Sequence, residues 1–148
     1  ELPRMLAALE AGADIAIGSR GLAESQVLHA QPAYRRAGAT IFRQLVRSIG
    51  GLQGFSDTQC GFKFYRRAVA HDLFGSTVIE RWMFDLEVLR LAVHRGYRIA
   101  QVPVKWNNDP DSRLRLMVDT MRMLRDVARI QTRFRRRRYG PAGALGRV

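Results

Sequence analysis

The five residues Asp14 to Gly18, DIAIG, constrain the fold of this chain more than any other segment. A short apolar run closed by Gly18 and Ser19 has the pattern of a strand buried in an α/β sheet. The segments around it agree. Leu2, Met5, Leu6 and Leu9 recur at helical spacing, as do Ile41, Phe42, Leu45, Val46 and Ile49 within Tyr34 to Ile49, a helix ended by Gly50 and Gly51. Gly61 to Tyr65 reads as a strand, Arg66 to Phe74 as a short helix and Met83 to His94 as a longer one ended by Gly96. Tyr97 to Trp106 reads as a strand in which Pro103 marks an edge or a bend. Residues 21 to 33 lack period and suit a loop. Alternating helices and strands predict a mostly parallel α/β sheet, in which ligands gather at the carboxyl ends of strands. Arg20 lies at such an end.

Asp57 to Lys63, DTQCGFK, puts an acid, an amide, a thiol and a glycine into one turn-forming stretch. A turn explains Asp57 and Gly61, since Asp caps turns and Gly permits close backbone approach, but it does not call for Gln59 and Cys60. This stretch is therefore a candidate binding segment. Cys60, the single cysteine, cannot form an intrachain disulfide and is expected to pack rather than react. His29, His71 and His94 stand apart, without the close His or Cys neighbours of a zinc site, so no metal ligands are assigned.

The net charge of +12 is unevenly placed: ten Arg and two Asp lie between Arg113 and Arg138, so this segment carries eight of the twelve charges. Within a helix expected over Leu114 to Arg136, the stripe Leu114, Met117, Met121, Leu124 and Ala128 is joined by Val118, Val127, Ile130 and Phe134. Arg115, Arg122, Arg129, Arg133 and Arg136 follow another side. Such a helix either docks on a core with a solvated basic face or lies on an anionic membrane surface. The Arg135 to Arg138 run favours membrane or polyanion contact. No run approaches the roughly 18–20 apolar residues of a bilayer span, so membrane contact is expected to be peripheral. A nucleic-acid reader is disfavoured, because no reader motif is present and the aromatics are not interleaved with the basic run.

Taken with GSR at 18 to 20 and IERWMFDLEVL at 79 to 89, DTQCGFK resembles family-2 glycosyltransferases of the GT-A fold. The resemblance runs from about Leu2 to Arg136. It is nearest to the polyprenyl or dolichyl phosphate glucosyltransferases and more distant from the mannose-transferring synthases. It implies inverting transfer of a hexose, glucose from UDP-glucose in the first instance, onto a lipid-linked phosphate at the cytosolic face of a membrane. It also implies an acceptor-phosphate clamp of Arg20, Arg36 and Thr40. Arg35 competes with Arg36, but its neighbour four positions on is Ala39, which has no hydroxyl. Ser112, Arg113 and Leu114 match a further short element, in which Arg113 touches phosphate while Ser112 caps the helix. Asp57, Gln59 and Gly61 would line the sugar and acceptor pocket.

Asp85 and Glu87 sit about 200° apart on a helix, so both cannot face one pocket. By likeness to relatives with alcohol acceptors Asp85 is the candidate catalytic base, or else an orienting group, since a phosphate acceptor needs no strong base. Trp82 is either core or a sugar platform. The resemblance further implies a divalent metal, Mg or Mn, held by an Asp-x-Asp element upstream of GSR. Nothing upstream of Asp14 supplies it, and Asp109, Pro110 and Asp111 read as a turn.

The expected organisation is therefore the acceptor-side part of a GT-A domain over residues 1–113, a basic amphipathic helix over 114–138 and a disordered tail over 139–148. A chain that starts within a helix and lacks the metal side is expected to be a fragment, inactive alone. The alternatives are a polyprenyl-phosphate mannosyltransferase and a non-enzymatic basic module for membranes or nucleic acid.

Overall fold

The computed structural model describes residues 1–27, 40, 44, 46–48, 51–107 and 116–140, and all statements below concern these. Four helices and two small sheets follow in the order α1 (Leu2–Glu10), β1 (Ile15–Ser19), β2 (Gln26–Val27), β3 (Lys63–Tyr65), α2 (Arg67–Phe74), a 3-10 turn (Arg81–Met83), α3 (Phe84–His94), β4 (Ile99–Pro103), β5 (Lys105–Trp106) and α4 (Leu116–Arg135). Thr40, Gln44 and residues 46–48 are also helical. The class is mixed α/β, as the alternating pattern predicts.

β1 is the centre of the larger sheet and every one of its residues is buried. It pairs in parallel with β4, Ile15 opposite Ile99 and Ser19 opposite Pro103, and antiparallel with β3, Ile17 opposite Lys63. A parallel neighbour demands a crossover, which α2 and α3 supply. The residues opposite Pro103 and after it explain the bend expected there: Val104 breaks the strand, and β5 leaves to pair in parallel with β2 instead.

The side-chain period of two sorts β1 onto two faces. Ile15 and Ile17 face the main core with Leu86, Leu89, Leu91, Met83 and Ile130, while Ala16 faces a smaller cluster with Met5, Val102, Phe62 and Phe64. Lys63 and Gln101 flank Ile17 in register and so stand on the main-core face, toward the carboxyl end of β1. Gly18 points to the second face, where an added Cβ would lie 2.9 Å from Val104 Cγ1 and 3.3 Å from Cys60 Sγ. That approach is why the penultimate position of the strand is glycine.

α4 belongs to the same core. Met123, Val127 and Ile130 are buried in it, with Phe134 packed alongside, whereas Met121 is 69% exposed and Ala128 lies on the surface. The helix therefore turns the stripe through Met123 inward, not the one through Met121 and Ala128 that the sequence also offers. The Arg90 guanidinium covers the Phe134 ring at 4.1 Å, and Arg90 Nη2 donates to Gln131 Oε1 at 3.0 Å, which fixes α4 on α3.

Candidate functional site

Where β1 ends, Arg20 leaves the sheet and meets Asp57. Gln101 of β4 brings the two together: its Oε1 accepts the Ser56 N–H at 2.8 Å and its Nε2 donates to the Gly54 carbonyl at 2.9 Å, which pins the loop just before Asp57. Arg20 then grips Asp57 as a fork, Nε to Oδ2 at 2.5 Å and Nη2 to Oδ1 at 3.1 Å. The Arg20 amide donates to Oδ2 at 3.3 Å and the Gln59 amide to Oδ1 at 3.0 Å. These four donors fill a carboxylate's acceptor capacity of about four lone pairs. Asp57 therefore uses its oxygens to fix Arg20 and the loop, a different use from the contacts with sugar hydroxyls expected of it.

The pair is asymmetric in solvent: the Asp57 side chain is 1% exposed and that of Arg20 30%. Burial alone would push the Asp57 carboxyl up, but the hydrogen bonds and charge of Arg20 outweigh it and hold it below the usual carboxylate range. Burial likewise opposes the charged guanidinium, and Asp57 reverses that, leaving Arg20 above its ordinary value. The guanidinium also lies 5.1 Å from the centre of the Trp106 ring. Two of its five N–H groups are taken by Asp57, and among the described residues no hydrogen-bond partner takes the other three.

A second charge pair lies behind the first. Lys63 Nζ is 3.0 Å from Asp85 Oδ2, with the side chains only 4% and 10% exposed, and it donates to the Cys60 carbonyl at 2.5 Å. Lys63 thus ties the DTQCGFK loop to the first turn of α3. Burial raises the Asp85 carboxyl above its ordinary value; Lys63 opposes this and Asp57 adds to it. Cys60 is fully buried, in accord with a packing role. Two buried hydroxyls, Ser19 Oγ and Thr58 Oγ1, have no hydrogen-bond partner among the described residues.

Glu87 faces elsewhere, as the 200° argument requires. It is fully buried, accepts the N–H groups of Val78 and Ile79 at 2.9 and 2.7 Å, and accepts the Tyr139 hydroxyl. It organises structure, while Asp85 faces the site. Gln59 is half-buried; Gly61 is exposed, with nothing within 4 Å of where a Cβ would stand, so a ligand can approach its backbone. Thr40 is helical and exposed. Arg36 and Arg113 lie outside the described residues, as do Asp109 and Asp111.

Two residues without an assigned role in the sequence turn out to hold the site. Lys63 closes the motif itself, two residues after its glycine. Gln101 is a polar residue inside an otherwise apolar strand segment, IAQVP, and that interruption is its only local signal. Trp82 is 53% exposed and is not core.

No known family profile matches the chain. Individual relatives do. A dolichyl-phosphate beta-glucosyltransferase of Trichomonas vaginalis is 36% identical over 121 residues, covering 82% of this chain and 35% of that protein. The Saccharomyces cerevisiae and human proteins of the same name are 32% and 33% identical, over 79% and 81% of this chain and 35% and 37% of their own lengths. The chain thus spans about a third of the length of the curated relatives it matches. Over some four fifths of its own length, this chain is a relative of the dolichyl-phosphate beta-glucosyltransferases, glycosyltransferases of family 2.

Proposed function

We propose that this chain forms the acceptor side of an enzyme that moves glucose from UDP-glucose to dolichyl or polyprenyl phosphate, with inversion, at the cytosolic face of a membrane. The observation that carries this is the Arg20 guanidinium, fixed by Asp57 and Trp106 yet left with open N–H donors at the carboxyl end of β1. A planar fork held rigid on one edge presents the other edge to phosphate oxygens at little entropic cost.

The chemistry asks for nothing more elaborate on this side. A phosphate monoester has its second pKa near about 6 and is largely dianionic at neutral pH. One of its oxygens can attack the anomeric carbon directly as the bond to the UDP oxygen breaks and UDP departs with the electron pair. No proton has to be removed, so Asp85 is not required as a base. Paired to Lys63, it holds the loop instead. Arg20 offsets the acceptor's charge and orients the attacking oxygen. Gln59 and the open backbone at Gly61 offer contacts to the sugar, and Arg36, Thr40 and Arg113 would complete the clamp. A divalent Mg or Mn ion would hold the diphosphate of the nucleotide sugar. Among the described residues no three His, Cys, Asp or Glu side chains converge on one point. The names of the relatives favour glucose over mannose.

Binding of a short-chain polyprenyl phosphate in detergent tests the proposal. Saturable binding that needs the phosphate, and that falls at least tenfold in Arg20→Gln, is the expected result. Equal affinity for the unphosphorylated polyprenol, or an unchanged affinity in the variant, would overturn it.

A further inference from the structure

We infer that one face of α4 is a docking surface for a bilayer containing anionic lipid. The inference deepens the membrane location proposed above and rests on it only for choosing lipid among polyanions. It uses none of the residues of the Arg20–Asp57 site.

Arg122, Arg125, Arg129, Arg133 and Arg136 fall within a stripe about 80° wide, and the 14 steps from Arg122 to Arg136 correspond to about 21 Å of helix. The buried stripe through Met123, Val127 and Ile130 points another way, so docking on the core leaves Arg122, Arg125, Arg129 and Arg136 exposed, while Arg133 is half-buried over the Tyr139 ring at 4.9 Å. Two concavities follow this face. One, of about 480 Å³, lies between the helix and the segment before the 3-10 turn, lined by Val78, Glu80, Arg122, Arg125, Asp126 and Arg129 among others. The other, of about 360 Å³, is lined by Ala128, Arg129, Thr132, Arg133, Arg136 and Arg138. They meet at Arg129. The second contains four arginines and no carboxylate, so its own residues leave the positive charge uncompensated.

Anionic lipid is the occupant favoured by the neighbouring surface. Met121, 69% exposed, sits one helical turn from Arg125, and the 3-10 turn that packs on α4 carries Trp82, 53% exposed. Val78, 39% exposed, lines the first concavity itself. Large apolar side chains beside a row of arginines match an interface of acyl chains and charged headgroups, with an aromatic at the boundary. A polynucleotide backbone would call for the cations but not for an exposed Met and Val.

The test is sedimentation of the whole chain with vesicles of phosphatidylcholine alone or with about one third phosphatidylserine, both free of polyprenyl phosphate. The variant is Arg129→Glu with Arg136→Glu, both exposed. A control reverses Arg4 and Arg67, which are exposed on α1 and α2. With each Arg near an anionic surface worth about a fivefold change in partition, the α4 variant should bind phosphatidylserine vesicles at least about 25-fold more weakly. The control should stay within about twofold of the parent. Far-UV circular dichroism establishes that each variant is folded. Equal binding to neutral vesicles, or an α4 variant no weaker than the control, overturns the inference. So does binding confined to an RNA of matched charge. Polyprenyl phosphate binding in detergent that is kept by the α4 variant, while its vesicle binding falls, separates this surface from the proposed acceptor site.

Discussion

Replacing Lys63 by Met should cripple stability in a way that depends on pH and is rescued at Asp85. At 3.0 Å and an effective dielectric near 20, the two charges attract by about 5.5 kcal/mol, which offsets the cost of burying both. Removing the ammonium strands a carboxylate only 10% exposed, a change that costs roughly 3–5 kcal/mol in buried pairs, and leaves the Cys60 carbonyl short of a donor for about 1 kcal/mol more. That is a large part of the 5–15 kcal/mol typical of a domain. Asp85, already above its ordinary value through burial, should rise further once Lys63 no longer opposes the shift. A raised carboxyl contributes stability that is complete below its unfolded value and is lost as pH rises through the folded one. The deficit of Lys63→Met should therefore be largest near neutral pH and shrink on acidification. Urea unfolding followed by circular dichroism across pH 4.5 to 8 measures it. Adding Asp85→Asn should recover about half or more of the loss at pH 7 and flatten the pH dependence. A single variant that costs under about 1 kcal/mol at pH 7, or a double variant no better than the single, would refute the claim that this pair is a buried, mutually dependent unit.

Gly18→Ala should cost about 1–3 kcal/mol by overpacking, because the new methyl meets Val104 at 2.9 Å and the Phe62 carbonyl at 3.2 Å; a thermal shift assay that shows no loss would contradict the close approach. Tyr139→Phe removes a donor to a fully buried carboxylate and should cost about 1.5–3 kcal/mol, visible in urea melts. Tyr97 is pushed up to about 12, by burial first and then by its bond to Asp72, while Tyr65 and Tyr139 are raised beyond that. In a Tyr34→Phe background, absorbance at 295 nm should therefore stay flat through about pH 10, the ordinary value. Stability from these neutral phenols is present below that pH and falls as pH rises through the shifted values, so alkaline unfolding should accompany the ionisation. Gln101→Ala should release the loop at Gly54 and Ser56 and speed amide exchange at Ser56, with the Arg20 fork loosened in consequence.

Much of this arrangement is visible in the amino-acid sequence, and what is not has a common cause. β1, β3, α2 and α3 lie within a residue or two of where composition and spacing put them, because each has an apolar run or period ended by a clear stop. The β2–β5 pair is two residues long on each side, too short for any period to register. Arg20 and Asp57 each stand out locally, yet their fork joins residues 37 apart, and Gln101 reaches Ser56 across 45. Pairings of that range are decided by the sheet, not by neighbours in the chain. α4 shows the same limit differently. Leu, Met and Val occur on several of its sides, so periodicity allows two stripes, and only docking on α3 through Phe134 and Gln131 selects the one through Met123.

The Glu87 carboxylate, which gathers Val78, Ile79 and Tyr139 from two separate segments, has a mechanical consequence. Peeling α4 from α3 would break the Tyr139 contact and expose a carboxylate that is otherwise fully buried. Any force applied to the arginine row is therefore passed to α3, and through Asp85 and Lys63 to the loop that fixes Arg20. If the arginine row binds lipid as proposed, the edge that carries Arg20 would be held at a set height above the bilayer by these contacts.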